Sequence, residues 1–372
     1  MMYQQCTRCL MDTTAQGIEF DSRGVCNYCR DFEKKLKKME EKDYANLQEL
    51  VKSIKEDGKN KPYDCIVGVS GGVDSSYTLV KAKELGLRPL AVHMDNGWDS
   101  ELAANNIKNL VENLGVDLYT HVINWDEYRE LMQAFFDSDV IDVELLYDNA
   151  MLAVDYQQAG NYHIRYILAG TNIATEGMKI PENWNWFKYD SKNIHKLART
   201  RGVRIRTFPA FSTIDLIKYE LVKRIHWISF LDYLPDYNKF EAMEKLKKEF
   251  GYKPYPYKHY ESIFTRFYQG YILPEKFNVD KRKVHLSTLI ISGQLTREEA
   301  IRQMQGRNAY FSEKDLSQDI DYFLKKMRWT RSQLEEYLKR PEKSHKIYGS
   351  EKAKYQTLSK IYRFLIPKKH SN

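Results

Sequence analysis

Residues Ser70-Gly71-Gly72-Val73-Asp74-Ser75-Ser76 constrain this chain more than any other segment. They follow directly on the apolar run Asp64 to Val69 (DCIVGV) and open a stretch of helical spacing, Ser75 to Leu85, that stops at Gly86. A strand that turns through paired glycines into a helix brings its backbone close to a bound anion. Successive N–H groups and the helix N-terminus then face the negative charge. Ser70, Ser75 and Ser76 add hydroxyl donors, and the Asp74 carboxylate suits a hard cation such as Mg²⁺. The segment is not a Walker A loop, because no lysine follows the second glycine.

The flanking sequence agrees with an open parallel sheet. Short apolar runs at Pro89 to His93, Leu118 to Ile123 and Tyr166 to Ala169 alternate with helical stretches at Glu101 to Leu114, Trp125 to Phe136 and about Asn149 to Asn161. Such alternation specifies a parallel α/β fold. Beyond Pro209 the strand signals mostly stop and helices are expected, among them Asp215 to Phe230, His259 to Tyr271 and Lys281 to Ile291. The expected organisation is a cysteine module over 1–31, a helical connector over 32–61, a nucleotide-binding domain over 62–210 and a helical region over 211–372 that completes the site.

Cys6-x2-Cys9-x16-Cys26-x2-Cys29 has the spacing of a four-cysteine zinc site. So small a module buries little apolar surface, so a structural Zn²⁺ would supply its folding energy. A four-ligand site is closed, and no catalysis is assigned to it. Cys65 reads as a core thiol. The charge of +7 suits anionic substrates without arguing for nucleic acid. No run approaches the roughly 18 apolar residues of a spanning helix, no signal-peptide pattern opens the chain, and a cytoplasmic location is expected.

The SGGVDS string, with its preceding strand and following helix, resembles the PP-loop of the N-type ATP pyrophosphatases. That group includes asparagine, GMP and NAD synthetases and tRNA thiolases. The resemblance implies an adenine nucleotide alpha-hydrolase-like (HUP/PP-loop) fold, with a zinc-ribbon-like module before it and a helical region after it. It also implies that Ser70, Gly71, Gly72, Asp74, Ser75 and Ser76 hold the pyrophosphate leaving ATP, and that Asp74 acts in catalysis. Ala91 to Asn96 occupies the edge that borders adenine and ribose in that family, which makes His93 and Asp95 nucleotide-site candidates. Gly170 and Thr171 follow the fourth strand, and Glu176 matches the acid that joins Asp74 on Mg²⁺.

The stretch Pro181 to Asp190 (PENWNWFKYD) has flat rings and amides suited to a sugar. Asn172, Glu182, Asn183, Trp184, Trp186 and Asp190 are therefore sugar-binding candidates. Farther on, Arg266, Leu273-Pro274, Lys281 and Arg282 resemble a basic segment of asparagine synthetases, and could offset transition-state charge. Taken together, CTRCLMD, GVCNYC, SGGVDSS, AGTNIATEGMKIPENWNW and KHYESIFTRFYQGYILPEKFNVDKRK resemble the N-acetyl sugar amidotransferase family (WbpG- and PseA-like). This resemblance spans roughly residues 3 to 340 and implies ATP-dependent conversion of an N-acetyl group on an activated sugar, such as a nucleotide sugar or a sialic-acid-like sugar, into an acetamidino group, for bacterial surface polysaccharide, O-antigen or flagellin glycans. Met2-Tyr3 stand where an N-terminal glutaminase needs cysteine, and no GxCxG elbow occurs. Ammonia is therefore expected from a separate glutaminase of the histidine-biosynthesis type, with its cyclase-like subunit as a further partner. The rival readings are a tRNA-modifying enzyme, a nucleotide-binding scaffold and a ligase of another small amide or carboxylate. No membrane partner is expected, and nucleic acid is disfavoured.

Overall fold

The computed structural model describes residues 2–40, 44–234, 236–255, 260–304, 310 and 312–365. Two helices, α1 (Asn27–Glu40) and α2 (Tyr44–Asp57), lead into the strand–helix alternation. This continues through β1 (Cys65–Gly68), α3 (Val73–Glu84), β2 (Pro89–Asp95), α4 (Glu101–Leu114), β3 (Leu118–Val122), α5 (Trp125–Asp137), α6 (Leu145–Asn161) and β4 (Tyr166–Ala169). Then come α7 (Ile173–Glu176), α8 (Ser191–Thr200), α9 (Thr213–Ile217), β5 (His226–Ser229) and α10 (Lys239–Phe250). The remainder is helical: α11 (Ile263–Phe267), α12 (Leu273–Phe277), α13 (Arg282–Ile291), α14 (Arg297–Gln303), α15 (Glu313–Met327), α16 (Arg331–Lys339) and α17 (Lys352–Leu365).

The five strands form one sheet in the order β3-β2-β1-β4-β5, and every pairing is parallel. Strand β1 is apolar on both faces because both are covered. Ile66 joins a core with α5, α6 and the cysteine module, whereas Cys65 and Val67 join a core with α2, α3, α4 and α10. Local signals close the helices. Ser100 Oγ accepts the Ala103 N–H at the start of α4, and Gly115 ends that helix at φ 57°.

Two expectations change. Asp215 to Phe230 is not one helix: α9 runs into a π-turn (Lys218–Val222), Arg224 adopts φ 54°, and the chain then supplies β5 along the edge of β4. A residue in the left-handed region ends a helix, and pairing to a waiting sheet edge outweighs local helix preference. The sheet thus draws a strand from beyond residue 210, where the nucleotide-binding unit was expected to end. The cysteine module also shares its buried core with the sheet. Leu10 N donates to Ser287 Oγ at 3.0 Å, and Lys283 Nζ pairs with Asp12 at 2.5 Å. Lys258 and His259 of the basic segment lie outside the described residues.

Candidate active site

The strand order reverses direction between β1 and β4, and in open α/β sheets ligands bind at the carboxyl ends of strands flanking such a switch. The loop after β1 is Ser70 to Gly72, and the loop after β4 begins at Gly170. The latter touches the first turn of α3: a Cβ on Gly170 would lie 2.7 Å from the Ser75 amide nitrogen and 2.8 Å from the Ser75 Cα. Gly71 adopts φ 79°, and a Cβ there would meet Ala103 O at 3.0 Å. These two glycines have distinct physical reasons, a close backbone approach and a left-handed turn.

The loop is built for an anion. Gly72 occupies the N-cap of α3 with no side chain capping it. Among the described residues, the amides of Val73, Asp74 and Ser75 find no protein acceptor, so the orphan N–H groups of the helix point free. Ser70 and Ser75 brace the turn, with their hydroxyls 3.2 Å apart, Ser70 N donating to Ser75 Oγ at 3.2 Å and Gly72 N donating to Ser70 Oγ at 3.3 Å. The Ser76 hydroxyl is buried without a partner.

Asp74 is held on both oxygens. Thr175 Oγ1 donates to Oδ2 at 3.0 Å, and the Tyr237 hydroxyl donates to Oδ1. Burial, and then the charge of Asp74, push the Tyr237 phenol well above its ordinary range, and Glu176 adds to that push. Asp74 and the exposed Glu176 therefore share one neighbourhood. Each carboxylate keeps lone pairs beyond its bonds, a hard-oxygen set that fits Mg²⁺. Tyr237 escapes a sequence reading because its partner stands 163 positions away.

Several expected ligands have partners within the protein. His93 spends both ring nitrogens within the protein, at 2.8 Å from Val69 O and 2.8 Å from Asp99 Oδ2, so it offers nothing to a nucleotide. Burial draws its pKa down, but the bond and charge of Asp99 outweigh this and leave it raised. Asp95 accepts Gly97 N at 2.7 Å and shapes the turn after β2. Thr171 is exposed beside Ser229.

The sugar candidates scatter. Asn172 caps α7 through Thr175 N. Asn183 bonds Gln16 N at 3.0 Å and Thr14 O at 3.1 Å, and Trp184 is fully buried with its indole N–H 3.3 Å from Thr14 O. These two residues dock the cysteine module. Trp186 stacks on His345 at 4.8 Å and donates to Asp190 at 2.8 Å. Asp190 is fully buried, caps α8 and also receives Ser350 Oγ. Glu182 pairs with Lys179 and Lys352, and faces a cavity of about 550 Å³ lined also by Tyr28 and Lys35, with no residue of the PP-loop in its wall. A flat ring that is buried on its faces cannot stack on a sugar.

The basic candidates are paired as well. Arg266 forms a bidentate bond to Asp319 at 2.6 and 2.5 Å, and Tyr310 completes that carboxylate. Lys281 is buried against Glu144 at 2.8 Å, and Arg282 forks onto Asp280. Arg266–Asp319 joins α11 to α15, Lys281–Glu144 joins the start of α13 to the N-cap of α6, and Arg282–Asp280 is a local pair.

The four cysteines converge. Their sulfurs all lie within 4.8 Å of one another, with Cys6–Cys29 and Cys9–Cys26 at 3.8 Å and Cys26–Cys29 at 3.6 Å. A tetrahedron with arms of about 2.3 Å has edges close to these values. Backbone N–H groups of Arg8, Met11 and Cys29 point at sulfur, as thiolates require. The set fits a structural Zn²⁺.

A strand–glycine loop–uncapped helix at the switch point of a parallel sheet, with an acid at its mouth, defines a PP-loop protein. Comparison with known families agrees. Residues 46–179 match the family model of NAD synthase, and residues 261–362 match the C-terminal domain of LPS biosynthesis proteins that are WbpG-like. The two matches, one to each part of the chain, support a WbpG-like member of the PP-loop family. No curated protein matches it. Solved structures with similar folds include NMN synthetase from Francisella tularensis, at 12% identity and TM-score 0.30 over 58% of this chain and 98% of that one. Another is the NH3-dependent NAD synthetase from Campylobacter jejuni, at 15%, 0.29, 58% and 100%. A third is a predicted subunit of tRNA methyltransferase from Methanocaldococcus jannaschii, at 17%, 0.28, 53% and 94%. These likenesses are too loose to carry any assignment. The family matches support an ATP-dependent role of the amidotransferase or ligase kind.

Proposed function

We propose that the protein adenylates the oxygen of an N-acetyl group on an activated sugar and replaces that oxygen with ammonia-derived nitrogen, giving an acetamidino sugar. The observation that carries this reading is the pairing of an uncapped PP-loop helix with a WbpG-like C-terminal domain in one chain. The family description points to surface-polysaccharide chemistry, and an amide is so weak a nucleophile that its oxygen needs an activated phosphorus.

The free amides of Val73, Asp74 and Ser75 receive the β- and γ-phosphates and stabilise charge as pyrophosphate departs. Gly170 lets the β4 loop close against them, fixing the α-phosphate in line with the acceptor. Asp74, held by Thr175 and Tyr237, and Glu176 would hold Mg²⁺, which supplies charge neutralisation on the leaving group. The zinc module docks against α13 and supports the fold without touching the chemistry. Ammonia would come from a separate glutaminase, and a cytoplasmic location follows from the need for ATP.

The test is mass analysis of a panel of UDP-linked acetamido sugars and sialic-acid-like sugars incubated with MgATP and ammonium. A product lighter by the difference between O and NH, formed one for one with AMP, supports the reading. Modification of bulk tRNA with no sugar product would oppose it.

A further inference from the structure

The PP-loop accounts for the nucleotide, but α6 carries polar groups with no part in that account. The helix is packed on β1, β2 and β4. Even so, Tyr147, Asp148 and Met151 in its N-terminal half are only partly buried. With Asp155 they form one stripe at helical spacing. Above the stripe, Lys188 Nζ bridges Asp142 at 2.7 Å and Asp148 at 2.8 Å, and the side chains of Lys188 and Asp148 retain 25% and 35% exposure. Lys188 and Asp148 therefore meet solvent instead of being sealed in the core.

Asp155 lies at the buried end of the stripe. It is 3% exposed, no hydrogen bond from any described residue reaches its carboxylate, and its oxygens are not fully enclosed. It fits there because residue 68 is glycine: a Cβ on Gly68 would lie 3.0 Å from Asp155 Oδ2. Gly68 ends β1, two positions before Ser70. At the opposite end of the stripe Tyr147 lies in the field of Asp99 and Glu261, and Glu261 Oε1 is 3.6 Å from where a Gly72 Cβ would be. A buried, unpartnered carboxylate is costly, and its retention beside a phosphate-binding turn calls for a ligand group.

We infer that Asp155 is the general base of the acceptor step, receiving the N–H proton of the acetamido group. The inference rests on the sugar reading above and deepens it. As the amide oxygen forms its bond to the α-phosphorus, the bond from that phosphorus to pyrophosphate breaks and the nitrogen proton passes to Asp155, leaving a neutral O-adenylyl imidate. Ammonia then adds to the imidate carbon and yields one proton to the departing AMP. The Asp155 proton returns to the sugar nitrogen, and a planar amidinium remains opposite the regenerated carboxylate. Burial pushes the Asp155 carboxyl up to about 8, with the charge of His93 on β2 pulling it down. Tyr156 beside it responds to its charge, while β1 and β4 present only Gly68 and apolar residues such as Ile66 and Ile167.

The test uses the full chain with MgATP, ammonium and the UDP-acetamido panel. Asp155→Asn should lower kcat on the order of a hundredfold, leave the KM for ATP unchanged, and abolish a rise in rate through about pH 8 that the parent shows. A variant with the parent's kcat and pH profile would overturn the inference while leaving the sugar reading intact. A parent inactive on every sugar would overturn both. A second measurement needs no turnover: acetamidinium ion, standing in for the product head group, should bind the parent more tightly as pH rises through about 8 and show no such dependence with Asp155→Asn. Equal pH dependence in both would also overturn it.

Discussion

Gly170 lies so close to Ser75 that the loop after β4 and the PP-loop helix form one surface, with 2.7 Å between a Cβ placed at 170 and the Ser75 amide. Gly170→Ala must therefore shift one loop against the other. Misplacement by about an ångström costs on the order of a hundredfold in rate. The expected result is a fall in kcat of that order with a fold retained by circular dichroism, read by pyrophosphate release.

The second prediction separates structural from catalytic lysine. Lys281 is buried with Glu144, and removing one partner of such a pair leaves an uncompensated charge that costs about 3–5 kcal/mol. Lys281→Met should lower the melting temperature strongly. The surviving folded fraction should retain its specific activity in an active-site-titrated assay. A stable but inactive variant would restore the catalytic role expected from sequence.

Zinc supplies the third. One Zn²⁺ per chain is expected by elemental analysis, and Cys26→Ser should lose it. Because Cys6, Cys9, Cys26 and Cys29 lie in the same core as β1 and α6, metal loss should destabilise the whole chain instead of unfolding a detached module. Coincident loss of far-UV signal and zinc under a chelator would check this.

The architecture was readable because its signals are local. The run DCIVGV, the paired glycines and the stops at Gly86 and Gly115 each act within a few residues, and four parallel strands follow from them. Strand β5 was hidden because its pairing with β4 comes from about 60 positions upstream. At the candidate site, the anion-binding turn was legible from spacing alone. Tyr237, Asp155 and Lys188 were not, since each acquires its setting from distant segments. Trp184, Trp186 and Asp190 misled for a related reason: the same aromatic and amide groups that suit a sugar also suit a buried joint, and only burial tells them apart.

The fourth prediction concerns pH. Burial lowers His345 to about 4, and its ring accepts Asp142 N at 3.2 Å and sits 2.8 Å from Asn193 Oδ1. The unfolded chain binds this proton below about 6.5, so stability declines as pH falls from there toward 4. The carboxyl of Asp155 acts in the opposite direction: its folded pKa is raised, so its contribution is lost as pH climbs from the ordinary carboxylate range toward about 8. Asp155→Asn should gain on the order of 1–3 kcal/mol at pH 8 and little at pH 4. Denaturant unfolding at the two pH values reads both effects.

Whether the turn from Ser70 to Ser76 holds the pyrophosphate leaving ATP is decided by following ATP labelled at the α-phosphorus through a single turnover in parent and Asp74→Asn protein. The parent should give label in AMP and unlabelled pyrophosphate, and Asp74→Asn should fold and bind ATP yet release neither. Label recovered in ADP, or normal turnover by Asp74→Asn, would contradict that role.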